Sequence, residues 1–337
     1  MINKLSLANK YRPKVFDDVS EQTSIKTILE NQIATNNLKH VYLFCGGAGT
    51  GKTTCARIVA NMINEGKGRP IEIDCASHNS VDDARAIIDQ CRTRPFDCKY
   101  KIFILDEVHM VSVAGFNAML KLFEEPPEFV IIIMCTTDPQ KIIPTILSRT
   151  QRFNFNRIST EGIIKRLTYI LNSENITDFE PEAVSYIARL AKGGMRDSIT
   201  TLEKCLDYDS HLTLDNVRKV TSGGVTEETM LLFLSKLLEK DAKSVLLQFN
   251  DIYLSGIDIS LFIKLYIEFL QNCLKYLITQ SANIVTISDI VINWLDNNTE
   301  YKQSIQDELL SLINIRTTYS SIDLKILVES WIIEVCK

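Results

Sequence analysis

Gly46, Gly51, Lys52 and Thr53 stand in the spacing G-x-x-x-x-G-K-T within "VYLFCGGAGTGKTTCARIVA", residues 41–60. An apolar run precedes them and a helix-like pattern follows, the context in which such a loop closes its backbone N–H groups around phosphates. Lys52 then reaches the outer phosphates, the Thr53 hydroxyl holds Mg2+, and Gly47, Gly49, Thr50 and Thr54 complete the loop and first helical turn. The chemistry expected is a grip on a nucleoside triphosphate, weighed against a chance glycine loop. The second half of such a site is "KIFILDEVHM", an apolar run ending in Asp106 and Glu107. Asp106 is placed to bind Mg2+ directly or through water, and Glu107 to orient and activate the attacking water; the competing reading is a helix-start acidic pair. His109, a lone histidine, is assigned no role.

Further along, Thr136 and Thr137 close another apolar run, where a hydroxyl could sense the γ-phosphate; turn capping before Pro139 is the alternative. Arg149 follows a proline-interrupted helical stretch, where a guanidinium could complete a site in a neighbouring molecule. Arg196, just after a glycine pair in "GGMRDS", is a third candidate cation. Singly, each arginine also fits an ordinary surface position.

The elements that must position these groups follow from the hydrophobic pattern. Apolar, β-rich runs recur as "VYLF" (41–44), "IEID" (71–74), "KIFILD" (101–106), "FVIIIMC" (129–135) and "RFNF" (152–155), separated by helix-length segments. Strands alternating with helical crossovers predict a parallel sheet covered on both faces, with ligands at the carboxyl ends of the strands. The unbroken "FVIIIMC" predicts a central strand buried on both sides. Beyond about residue 158 helical spacing takes over, with Val184, Ile187, Ala188 and Ala191 on one face before the stop signal Gly193–Gly194. A second pair, Gly223 and Gly224, precedes Thr226 and a new helical series. The expected domains are therefore an α/β nucleotide-binding module over 1–158, a small helical domain over 159–222 and a helical domain over 223–337. Within the last, "SLFIKLYIEFLQNCLKYLI" is apolar on more than one stripe, predicting burial on two sides, with neighbouring subunits as one possible cover.

Composition narrows the class. The chain has 337 residues, 45% hydrophobic and 23% charged, and no run approaches the ~20 apolar residues of a membrane span. No signal-peptide pattern opens it, so a cytoplasmic setting without membrane contact is expected. Nine scattered cysteines without a C-x-x-C pair read as reduced core thiols, so no zinc is expected. The formal net charge of −5 conceals +3 over residues 1–160 and −8 over the rest, so a nucleic acid would touch the first part, although solvated surface charge explains the split equally well.

The segments "ANKYRPKVFDDV", "GGAGTGKTT", "DEVHMVSVAGFNAMLKLFEEPPE", "CTTDPQK" and "SRT", in this order, resemble the gamma/tau subunits of bacterial DNA polymerase III, the ATPases of the sliding-clamp loader. The likeness is detailed over residues 8–155 and looser beyond, and "FNAMLKLFEEPPE" separates it from archaeal and eukaryotic replication factor C. The resemblance implies an AAA+ P-loop module, an all-α lid and an all-α collar that joins other loader subunits, delta- and delta-prime-like, in a pentamer. It implies ATP and Mg2+ at Lys52 and Thr53 and a Walker B pair at Asp106 and Glu107. One of Thr136 and Thr137 would be sensor 1, Arg196 sensor 2, and Arg149 the finger on the next subunit's ATP. Tyr11, Arg12 and Pro13 match the segment near the adenine. The inner surface of such a spiral follows primer-template DNA, and Arg85, Arg92, Arg94 and Lys121, expected on helices, are the candidate backbone contacts; each also fits a surface charge.

Four departures from the family pattern stand out. The zinc module between the P-loop helix and "IEIDCAS" is replaced by "NMINEGKGRP". The usual "SRC" reads "SRT", and the usual "VGQ" reads "VSEQ", where adenine contacts would change. The usual "AASR" reads "CASH", which puts His78 where an arginine is common. The chain ends where the collar is expected to end, without the long tail of tau forms, and its Ile-, Asn- and Lys-rich composition suits a phage or an AT-rich bacterium. The expected function is an ATP-driven motor that opens or holds the clamp and releases it on primer-template DNA. A nucleotide-binding adaptor without turnover and an AAA+ remodeller of another substrate are the alternatives; turnover separates the first, and a response to primed DNA the second.

Overall fold

The computed structural model describes residues 5–221, 225–318 and 323–337. The chain divides into two compact units, residues 1–204 and 205–337. The boundary anticipated between 222 and 223, with Gly223 and Gly224, lies outside the described residues.

All five apolar runs of the first unit form strands: β1 (Val41–Gly46), β2 (Ile71–Asp74), β3 (Lys101–Asp106), β4 (Val130–Thr136) and β5 (Gln151–Phe155). They pair in parallel in the order β2-β3-β4-β1-β5. Helices α1 (Leu7–Lys10) and α2 (Thr23–Ala34) precede β1, and α3 (Lys52–Ile63) follows the glycine loop. Next come α4 (Val81–Cys91), α5 (Val113–Glu124) and the short α6 (Pro144–Leu147), then α7 (Thr160–Ser173), α8 (Pro181–Leu190) and α9 (Met195–Tyr208), which carries the unit boundary.

Side chains of a strand alternate between faces, so each interior strand feeds two cores. Leu43, Phe103, Leu105, Ile132 and Met134 pack with Ile87, Phe116 and Met119 of α4 and α5. Tyr42, Phe44, Ile102, Ile104, Ile131 and Ile133 pack with Leu29, Ile58 and Val59 of α2 and α3. Every residue of β4 is buried, as an interior strand covered on both faces requires. The edge strand β2 alternates half-buried and exposed positions instead.

The second unit is helical throughout its described residues: α10 (Leu214–Thr221), α11 (Glu227–Leu238), α12 (Ala242–Leu254), α13 (Ile259–Thr279), α14 (Asp289–Asp296), α15 (Lys302–Thr318) and α16 (Leu324–Val335). Thr226 caps α11 by accepting from the Thr229 N–H at 3.1 Å, satisfying a donor that has no partner within the helix. The long α13 buries Phe262, Tyr266, Phe269 and Cys273 along one line and Ile263, Leu270, Leu274 and Leu277 along another. Both stripes belong to a single core with α11, α12, α14, α15 and α16. The burial on two sides is thus supplied by the chain's own helices, without a neighbouring subunit.

Candidate nucleotide site and family

The order of the sheet brings the ends of β3, β4 and β1 side by side. Cys45 pairs with Thr136 and Leu105 with Met134, so Gly46, Asp106 and Thr136 emerge along one rim of the sheet. This is where β1 lies between strands that follow it in sequence, the switch point at which open α/β sheets take ligands.

A cleft of about 460 Å³ opens there. Gly49, Thr50, Gly51, Lys52, Thr53 and Thr54 line it from the loop, and Asp106 and Glu107 from the end of β3. Tyr11, Arg12 and Pro13 line it from the N-terminal segment and Arg196 from the start of α9. The loop's shape depends on its glycines. Gly46 abuts β5, where a Cβ would fall 2.5 Å from the Phe155 carbonyl oxygen. Gly49, at φ +70°, meets Gly194 so closely that a Cβ would lie 3.0 Å from the Gly194 Cα. The Gly49 carbonyl also accepts from the Met195 N–H at 3.0 Å, tying the loop to the turn that starts α9.

Lys52 is buried, and its ammonium donates to the Gly46 and Gly47 carbonyls at 2.9 and 2.8 Å. Burial lowers its pKa, opposed by the nearby Glu107, Cys135 and Asp106. The Thr53 hydroxyl donates to Asp106 Oδ2 at 2.8 Å. A hydroxyl and a carboxylate oxygen at this spacing form the partial, all-oxygen donor set that Mg2+ uses when a substrate's phosphates complete its shell, so the residues present fit that ion.

Glu107 adopts left-handed backbone angles, φ 47° and ψ 44°, and its N–H donates to Asp106 Oδ1 at 3.1 Å. Such a conformation is uncommon outside glycine and clusters at functional sites. It turns the Glu107 side chain to the rim, where Thr137 Oγ1 donates to Oε2 at 3.0 Å and His109 Nδ1 lies 3.3 Å away. Thr136 is fully buried; its hydroxyl meets His109 Nδ1 at 3.1 Å and accepts from the Asp138 N–H at 3.0 Å. Neither threonine lines the cleft wall itself.

Arg149 stands outside this cleft, beyond the end of α6. Its guanidinium donates to the Thr145 carbonyl at 2.7 Å and pairs with Glu124 at 2.9 Å, the last residue of α5, within the segment "FNAMLKLFEE". Of the candidate backbone contacts, Arg85 lies on α4 and pairs with Asp82, Arg92 caps that helix and pairs with Asp89, and Lys121 sits in the last turn of α5. Arg94 is not on a helix. Helix α4 stops at Cys91, three residues before Arg94, which Pro95 biases away from helical angles, and the Arg94 guanidinium covers the Phe129 ring at 5.0 Å.

The cleft also contains residues that the sequence reading passed over. Arg57, one turn beyond Lys52 on α3, pairs with Glu72, and its Nε is buried without a hydrogen-bond partner. Arg12 has its pKa lowered by burial and then by the proximity of Arg57 and Arg196. With Arg166, four guanidiniums thus line one cleft, which favours a polyanion. Arg166 on α7 donates to the Tyr11 carbonyl at 2.8 Å, and the Tyr11 hydroxyl donates to Glu174, so the N-terminal segment is clasped to the helices after β5. The "VSEQ" variation is accommodated by two successive left-handed residues, Glu21 and Gln22. Val19 and Ser20 line the cleft, while Gln22 turns away to the Asn156 backbone.

Comparison with known proteins agrees with this geometry. Residues 71–159 match the family model "DNA polymerase III, delta subunit", and residues 162–206 match "DNA polymerase III clamp loader subunit, ATPase lid domain". The DNA polymerase III subunit gamma of Buchnera aphidicola subsp. Baizongia pistaciae is 33% identical over 330 residues, covering 92% of this chain and 86% of that protein. The chain belongs to the DNA polymerase III gamma/tau family. The tau subunit of Bacillus subtilis is 35% identical over 292 residues, 80% of this chain, and the chain spans about half of that longer relative, 52%. Gamma/tau membership agrees with the fold, since the Thermotoga maritima RuvB Holliday junction branch migration motor superposes with a TM-score of 0.53 over 67% of this chain and 79% of that one. At 18% identity that likeness is one of fold, an AAA+ P-loop module. Among the described residues no helix is long and apolar enough to cross a membrane.

Proposed function

We propose that this chain is an ATPase motor subunit of a DNA sliding-clamp loader. It would use ATP binding to open or hold the clamp and hydrolysis to release it on primer-template DNA. The observation that carries this reading is the meeting of Lys52, Thr53, Asp106, Glu107 and Arg196 at one cleft, in a chain of the gamma/tau family. A chain that only bound nucleotide would have no chemical need for Glu107 beside the metal-binding pair.

Placement supports the following roles. Lys52 and the loop N–H groups hold the outer phosphates, with Arg196, Arg57 and Arg12 adding positive potential. Thr53 and Asp106 would hold Mg2+, which supplies charge neutralisation on the phosphates when bound. Glu107 takes the proton of the attacking water. Thr137, which touches Glu107, is the better placed of the two threonines for the sensor role, and Thr136 serves behind it. Arg149 acts in trans on the site of an adjoining subunit, its reach set by Glu124. Tyr11, Arg12 and Pro13 border the base, with Arg166 fixing that segment.

Residues 1–158 act as the ATP-binding module, 159–222 as the lid and 223–337 as the collar, in a pentamer with delta- and delta-prime-like subunits in the bacterial cytoplasm. Arg85, Arg92, Arg94 and Lys121 are the candidates for contacts to DNA phosphates; such contacts weaken with salt and ignore sequence. Loading of a labelled clamp onto primed DNA by loaders carrying Lys52→Ala or Glu107→Gln tests the reading. Both are expected to fail, and loading at the wild-type level by both would overturn it.

A further inference from the structure

Resting on the ATPase reading of this cleft, we infer that His109 is a positioning residue for hydrolysis, the link that fixes Glu107 against the end of β4. Glu107 is the group that must receive a proton as the water oxygen bonds to the terminal phosphorus and the bond to the ADP oxygen breaks. Its carboxylate reaches the cleft from a backbone in left-handed conformation, so its aim depends on what holds the side chain.

Two contacts hold it. Thr137 Oγ1 donates to Oε2 at 3.0 Å, and His109 Nδ1 stands 3.3 Å from the same oxygen. An ionised carboxylate only accepts hydrogen bonds, so the tautomer assigned to His109 is the one with its proton on Nδ1, which can donate toward Glu107. The same N–H faces Thr136 Oγ1 at 3.1 Å, and Thr136 is itself fixed, fully buried at the end of β4 and accepting from the Asp138 N–H at 3.0 Å. The imidazole therefore spans from a rigid interior strand to the mobile end of Glu107. It sits on the short helical turn Val108–Met110 directly after Glu107, with its side chain only 11% exposed. With Thr137 donating to Oε2 and His109 Nδ1 beside that same oxygen, the other carboxylate oxygen is the one left for the water.

A lone histidine in "DEVHM" carried no such signal in the sequence, because the partner threonine lies 27 residues away and meets it only through the pairing of β3 with β4. Loss of the imidazole lets Glu107 swing and slows chemistry without loosening nucleotide, since His109 does not line the cleft. Asparagine places a side-chain N–H at the same reach as Nδ1 and restores the contact.

The test uses the full chain assembled with its partner loader subunits. Single-turnover ATP hydrolysis, affinity for a slowly hydrolysed fluorescent ATP analogue and the thermal midpoint are measured for wild type, His109→Ala, His109→Asn and Thr136→Val. The inference predicts a rate constant about 10- to 100-fold lower for His109→Ala, with affinity within about twofold and the thermal midpoint unchanged, and most of the rate regained in His109→Asn. Thr136→Val is expected to lower the rate in the same way, with the double variant no worse than His109→Ala. An unchanged or faster rate in His109→Ala overturns the inference, as does a parallel loss of affinity and thermal midpoint, which marks a purely structural role. Failure of the wild type to hydrolyse ATP sinks the ATPase reading instead.

Discussion

At the scale of single residues the account separates holding the nucleotide from cleaving it. Lys52 is buried beneath the loop with its ammonium on two loop carbonyls, whereas Glu107 sits at the rim with its carboxylate held by Thr137 and His109. Lys52→Ala is therefore expected to abolish measurable nucleotide binding. Glu107→Gln is expected to bind nucleotide as wild type does while hydrolysis falls by at least about 100-fold, since it keeps the shape and removes the proton acceptor. Fluorescent-nucleotide titration and single-turnover hydrolysis check the two, and loss of binding in Glu107→Gln would remove the distinction. Of these residues, Lys52, Thr53, Asp106 and Glu107 were legible in the sequence because glycine spacing and an acidic strand end are local signals. Arg57, Arg166 and the His109 bridge were not. Their roles arise only from tertiary contacts with residues 15 or more positions away, such as Glu72 and Tyr11.

At the scale of elements the site depends on how the glycine loop meets the turn that starts α9. Gly49 at φ +70° and its contact with Gly194 bring Arg196 to the cleft. Gly49→Ala forces a side chain into left-handed angles, at a cost of about 1–2 kcal/mol, and pushes its Cβ against Gly194. It is expected to lower both the thermal midpoint and nucleotide affinity, the latter about tenfold, and a calorimetric titration that finds wild-type affinity would contradict that coupling. The interior strands β1, β3 and β4 were readable from continuous apolar runs, which burial on both faces requires, and the edge strands β2 and β5 from shorter β-rich runs between helix-length segments. The placement of Arg94 was not readable at that level, since α4 ends at Cys91 and the guanidinium is held over the Phe129 ring, a contact 35 positions away in sequence. Nor could the two stripes of α13 announce what covers them, since a helix pattern gives the width of an apolar face and not the identity of its neighbours.

For the molecule as a whole, the two units carry different vulnerabilities. In the helical unit the Glu308 carboxyl is buried, its Oε2 has no hydrogen-bond partner, and neither has the Tyr266 hydroxyl. Burial pushes Glu308 up to about 8, partly opposed by Lys240. Because the folded value exceeds the unfolded one, the stability this group allows is full below the ordinary glutamate range and is lost as pH rises through about 8. Wild type is expected to lose thermal stability between pH 5 and 9, by roughly a few kcal/mol, and Glu308→Gln to hold a flatter profile. Parallel melting curves for the two across that range would contradict the assignment. The first unit presents Arg149 outside its own cleft, paired with Glu124; on the proposed reading this arginine serves a neighbouring subunit's site, which would make catalysis a property of the assembly. The central claim is therefore tested most directly by the steady-state ATPase rate of the assembled loader with clamp and primer-template DNA, wild type against Arg149→Ala. Clamp and DNA are expected to stimulate the wild-type rate strongly, and Arg149→Ala to lose that stimulation; a wild-type rate unmoved by either ligand would overturn the clamp-loader reading.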